Sequence, residues 1–178
     1  MATRKHTDDR PIVTGLFHDR EKADRAYNTL RERGYSDEDI HVVMSKDTRE
    51  KYYDHDDVAI EEGSKAMEGA GAGAAVGGSV GGILGAIAAI GTNAIIPGLG
   101  LAVAGPLAGA LAGAGAGGAA GSLLGALVGA GIPEDRAKVY KEGVDEGGIV
   151  VGAHPRNEED RRHLGTEFEN YGGREVYY

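Results

Sequence analysis

The chain predicts an α+β protein in which two β-α-β units flank a helical, glycine-rich insertion. Three observations carry that reading. Short apolar runs precede segments of helical period at both ends of the chain. The 19 Lys and Arg and the 28 Asp and Glu all fall outside residues 69–133. Inside that block glycine recurs at every fourth position.

The first unit opens with a strand over residues 12–17, IVTGLF. Asp19 then stands where a helix N-cap is needed, because its carboxylate can accept from an unpaired first-turn N–H. Ala23, Ala26, Tyr27 and Leu30 follow the helical period over 20–33, and Gly34 stops the helix. A turn at Ser36–Asp39 leads to a second strand over 40–45. The second unit follows the insertion. Pro133-Glu134-Asp135 opens a helix over 133–146, whose acidic first turn suits the helix dipole. Gly147-Gly148 ends it. A strand over 149–153, a helix over 157–171 and a last strand over 174–178 complete the unit. Two such halves suggest a ferredoxin-like sandwich. Gly15 and Gly152 occupy matching strand positions, as in a distant repeat.

The insertion is read as a glycine-zipper hairpin over 63–131, with antiparallel helices over about 64–91 and 106–130 and a Gly/Pro-rich turn between them. The ladder comprises Gly69, Gly73, Gly77, Gly81 and Gly85, then Gly105, Gly109, Gly113, Gly117, Gly121, Gly125 and Gly129. Residues four apart stack on one helix face, so each run forms a groove that a second helix can approach closely. Pro106 suits a first helical position. The block holds 21 of the 31 glycines. Each costs a helix roughly 1 kcal/mol relative to alanine. Tight helix packing or a bilayer must offset that cost. Self-association follows in either case, because two grooved helices rarely exhaust their own packing surface. Each helix has the roughly 20 residues a bilayer span needs. The flanking charges, Lys65, Arg136 and Lys138 among Glu61, Glu62, Glu68, Glu134 and Asp135, give only a faint positive-inside signal. Soluble assembly and membrane insertion therefore stand side by side.

The expected organisation is a flexible tail over 1–10, a discontinuous domain over 11–62 and 132–178, and the hairpin over 63–131. The insertion is expected to project from one end of the sheet.

Composition excludes several classes. A net charge of −9 without a basic stripe argues against nucleic acid. No cysteine is present, which removes disulfides and thiolate chemistry. The polar N-terminus has no apolar signal core, so secretion is not expected. The expected location is the cytoplasm, or a membrane with the charged domain on the cytoplasmic side.

His18 and His154 each follow a strand and could meet at one sheet end around a metal, though two ligands make exposed loop histidines the better reading. Asp54-His55-Asp56-Asp57 with Glu61 and Glu62 lacks the spacing of a calcium loop and reads as a solvated acidic linker over 54–62. The glycine block lacks the Lys-Ser/Thr ending of a phosphate loop. Tyr177-Tyr178 reads as a frayed end or an edge contact. No catalytic, cofactor-binding or metal residues are expected, and no enzyme.

The opening VTGLFHDREKADRAYNTLRERGYSDEDIHVV and the junction GALVGAGIPEDRAKVYKEGVDEGGIVVGAH resemble the bacterial general-stress protein family of the heat-induced type. The resemblance covers most of the chain and is less typical from Pro155 to Tyr178. It implies a ferredoxin-like domain carrying a glycine-zipper insert, a stress-associated role and no catalytic residues. The favoured function is a non-enzymatic stress protein that associates with itself and, in one version, with a lipid bilayer. The alternative is a soluble ligand-sensing module that uses the hairpin as an oligomerisation arm.

Overall fold

A computed structural model describes residues 11–36, 39–53, 83, 95–96, 100–108 and 123–178. They form a mixed α/β structure around one six-stranded antiparallel sheet. The elements run β1 (Val13–Phe17), α1 (Arg20–Glu32), β2 (Ile40–Ser45), α2 (Lys46–Tyr53), β3 (Ile95–Ile96), β4 (Leu101–Ala104), α3 (Leu123–Gly129), α4 (Glu134–Asp145), β5 (Ile149–Ala153), α5 (Glu158–Asn170) and β6 (Arg174–Tyr177). The strand order is β3-β4-β2-β5-β1-β6.

Local sequence explains most element limits. The Asp19 carboxylate accepts from the Lys22 N–H at 3.2 Å and starts α1. Gly34 ends it at φ +83, with Tyr35 N–H returning to the Leu30 carbonyl at 3.1 Å. Asn157 caps α5 in the same way, accepting from Asp160 N–H at 2.8 Å. Ser45, the last residue of β2, accepts from Thr48 N–H at 3.1 Å and so starts α2. The sequence expectation has no helix here, since the apolar periodicity of 46–53 is weak; the serine cap is its local signal.

The sheet is covered on both faces, and side chains sort by strand alternation. Val13, Phe17, Ile40, Val42, Met44, Ile149 and Val151 meet Ala23, Ala26, Tyr27, Leu30, Leu164 and Phe168 of α1 and α5. Leu16, Val43, Leu101, Val103 and Val150 meet Leu123, Ala126 and Leu127 of α3 and Ala137, Tyr140 and Val144 of α4. Gly143 permits a close approach on this second face: a Cβ there would collide with the Leu16 side chain.

Two expectations about the insertion need correction. The segment read as a bare turn between helices contains β3 and β4, and β4 pairs with β2 from Val42↔Ala104 to Ser45↔Leu101. The described part of the block does not project from the sheet end. It extends the sheet past β2 and, through α3, closes its second face. The reason is that Leu101 and Val103 are bulky apolar residues at period two, a strand pattern that the surrounding glycine and proline obscured. Of the two predicted zipper helices, residues 64–82 and 84–91 of the first (64–91) and 109–122 of the second (106–130) lie outside the described residues, as do the 1–10 tail and the acidic segment 54–62.

Candidate functional site

The two strand-end histidines do not meet. β1 and β5 run antiparallel, with Val13 opposite Ala153 and Phe17 opposite Ile149. His18 and His154 therefore leave the sheet at opposite ends. His18 Nε2 lies 3.9 Å from a Glu146 carboxylate oxygen. His154 Nδ1 lies 3.1 Å from the Pro11 carbonyl, so it carries the proton of that bond. Its ring instead packs edge-to-face on buried His41 of β2, centroids 5.2 Å apart. Sequence reasoning missed His41, because only the register between β2 and β5 brings it there. Among the described residues no group of three His, Asp or Glu side chains is placed to hold a metal.

A polar cleft of about 510 Å³ opens at the start of α1, lined by His18, Asp19, Arg20, Glu21, Asp24 and Tyr52. Asp24 is its most constrained member. One carboxylate oxygen accepts from the Ile83 N–H at 3.3 Å and from the Tyr53 hydroxyl at 3.4 Å. The other lies 3.4 Å from Arg20 Nε. Burial pushes the Asp24 carboxyl above its ordinary range, against the pull of the Ile83 N–H and Arg20. Burial, and then the Asp24 charge, push the Tyr53 hydroxyl up, so it stays a neutral donor. Arg20 also stacks on the Tyr53 ring at 5.0 Å. These contacts hold Asp24 as an anchor: it receives a backbone N–H from the uncharged block, whose Ile83 is fully buried beside Tyr53 in the first core.

A second charged cluster ties the two halves together. Asp160 accepts from Arg33 and from the Tyr35 hydroxyl. Arg156 stacks on Tyr35 at 4.3 Å and donates to the carbonyls of Arg33 and Gly34. Every charge in it has a partner, which marks it as a staple between α1 and α5.

Of the ladder, Gly69, Gly73, Gly77, Gly81, Gly85, Gly109, Gly113, Gly117 and Gly121 lie outside the described residues. Gly105 stands at the exit of β4 with φ +78, and a Cβ there would collide with the Ile40 carbonyl. Its absent side chain thus serves the β4–β2 junction. Gly125 and Gly129 lie on α3, and a Cβ on Gly129 would meet nothing within 4 Å. Among the described residues no helix is long and apolar enough to cross a membrane. No protein family, curated protein or solved structure matches the chain.

Proposed function

We propose that this is a non-enzymatic, stress-associated protein in which a charged ferredoxin-like domain carries a glycine-zipper segment for self-association. The ferredoxin-like assignment rests on the four-strand run β2-β5-β1-β6 within the sheet, all antiparallel, with α1 and α5 on one face. The stress role rests on the resemblance of the two sequence motifs. Support for a carrier arrangement comes from one observation above all. The uncharged block is anchored at separate points in both cores, by Ile83 in the first and by Leu101, Val103, Leu107, Leu123 and Leu127 in the second. A segment held that way can present its remaining surface to a second copy, or to lipid, from a fixed base.

The test is fractionation of the untagged protein, then size measurement with and without detergent, for wild type and for Gly113→Leu with Gly117→Leu. Leucine would fill the groove and shift oligomer size or membrane partition. Unchanged size and unchanged partition in a folded variant would sink the proposal.

A second reading, a soluble sensing module with the hairpin as an oligomerisation arm, is favoured by the cleft around His18, Arg20 and Asp24. It requires that a small polar ligand raise the melting temperature of wild type and not of Arg20→Ala.

A further inference from the structure

β6 ends the sheet beyond β1. An edge strand offers unpaired N–H and C=O groups to any other strand, including the same strand of a second copy. This edge is not straight. Between the pairs Leu16↔Arg174 and Thr14↔Tyr177 the chain advances two residues on β1 and three on β6. The extra residue makes a β-bulge in β6. Glu175 sits in it at φ +50, a left-handed conformation that favours glycine or asparagine over glutamate.

Nothing local rewards glutamate for that conformation, so tertiary contacts must hold it. They come from α4. The buried Tyr140 hydroxyl donates to the Glu175 carbonyl at 2.6 Å. The same hydroxyl lies 3.3 Å from the Thr14 carbonyl and 2.9 Å from the Thr14 hydroxyl of β1. Arg136 meets the Glu175 carboxylate at 2.5 Å. From the other face, the Tyr178 ring lies against Gly165 of α5, where a Cβ would collide with it.

We infer that the Tyr140–Glu175 contact is an edge guard: it keeps β6 bulged and so blocks strand pairing between copies of this chain. Tyr140 engages the Glu175 carbonyl and holds it toward α4, and the bulge breaks the regular spacing that antiparallel pairing requires. The inference stands independently of the glycine-zipper proposal.

The absence of cysteine makes the test clean. Arg174→Cys places one thiol on β6 of the full chain, and Glu21→Cys places one on exposed α1 as a collision control. Disulfide dimer formation is timed under mild oxidation, with and without Tyr140→Phe. Tyr140→Phe is expected to speed crosslinking through Arg174→Cys by about fivefold, the factor that one neutral hydrogen bond is worth. Crosslinking through Glu21→Cys stays constant. Arg136→Ala, which removes only a half-exposed ion pair, is expected to act in the same direction by a smaller factor, and it carries the test if Tyr140→Phe does not fold. Unchanged Arg174→Cys rates in folded variants, or equal acceleration at both thiol positions, would overturn the inference.

Discussion

Asp160 and Arg33 form a charge-assisted pair across 127 residues of sequence: one carboxylate oxygen accepts from Nε at 3.0 Å and from Nη2 at 2.6 Å. The other oxygen accepts from Tyr35 at 2.9 Å. The pair closes the end of α1 onto the start of α5, and with it one β-α-β unit onto the other. Truncating Arg33→Met leaves a nearly buried carboxylate short of its cation. The expected loss is about 2 kcal/mol of unfolding free energy, the scale of a charged hydrogen bond. Urea denaturation checks it; a loss below a few tenths would show that water replaces the guanidinium without penalty.

Asp160 and Asp24 give the stability of this fold opposite acid dependences. The Arg33 hydrogen bonds hold the Asp160 carboxyl below its ordinary range. Its contribution is present above the unfolded carboxyl value of about 3.9 and is lost as pH falls through the lower folded value. Burial holds Asp24 above its ordinary range. Its contribution is fully present below about pH 3.9 and is lost as pH rises through the higher folded value. Urea midpoints taken from about pH 6 down to about pH 2.5 separate the two. Asp24→Asn should lose stability faster than wild type across the upper half of that range. Asp160→Asn should lose it more slowly across the lower half. Parallel curves for all three proteins would refute both assignments.

Two ladder glycines should respond in opposite ways to alanine. Gly105→Ala sets a Cβ against the Ile40 carbonyl at positive φ. A cost above about 2 kcal/mol is expected, the range of backbone overpacking. Gly129→Ala enters open space on α3. A gain of about 0.5 kcal/mol is expected from helix propensity near a helix end. Thermal melts measure both. A Gly129→Ala variant that instead loses stability only at high protein concentration would place a second copy against α3.

Glu175 allows a direct measure of stored backbone strain. Asparagine tolerates φ +50 better than glutamate does, whereas a β-branched residue tolerates it poorly. Glu175→Asn should fall within about 0.5 kcal/mol of wild type, since strain relief offsets the half-exposed Arg136 pair. Glu175→Val should cost about 2 kcal/mol. Equal melting temperatures for the two variants would mean that β6 straightens freely when Glu175 is replaced.

Much of this architecture was legible without coordinates. β2 and β5 fall on the residues that the apolar runs marked, and α1, α4, α5 and β6 agree within a residue or two. Asp19 marks a helix start through its own carboxylate, and Gly34 and Gly147 mark helix ends through the positive φ that the lack of a Cβ permits. The idea that His18 and His154 could meet at one sheet end failed for a different kind of reason. His18 and His154 look equivalent along the chain, each one residue past a strand, but strand direction separates them by the length of the sheet.

The glycine ladder and the uncharged block around it were determined by sequence alone, since spacing and charge need no coordinates. Tertiary structure decided how that block is attached. β4 joins β2 because Leu101 and Val103 gain burial on the second face, and Gly105 leaves room for the Ile40 carbonyl at its exit. Tertiary structure also decided that Glu175 adopts a glycine-like conformation, since Tyr140 and Arg136 reach it from a helix 35 and 39 residues earlier. Local propensity reads neighbours along the chain. Pairing direction, register and contacts between distant elements exist only once both cores have closed.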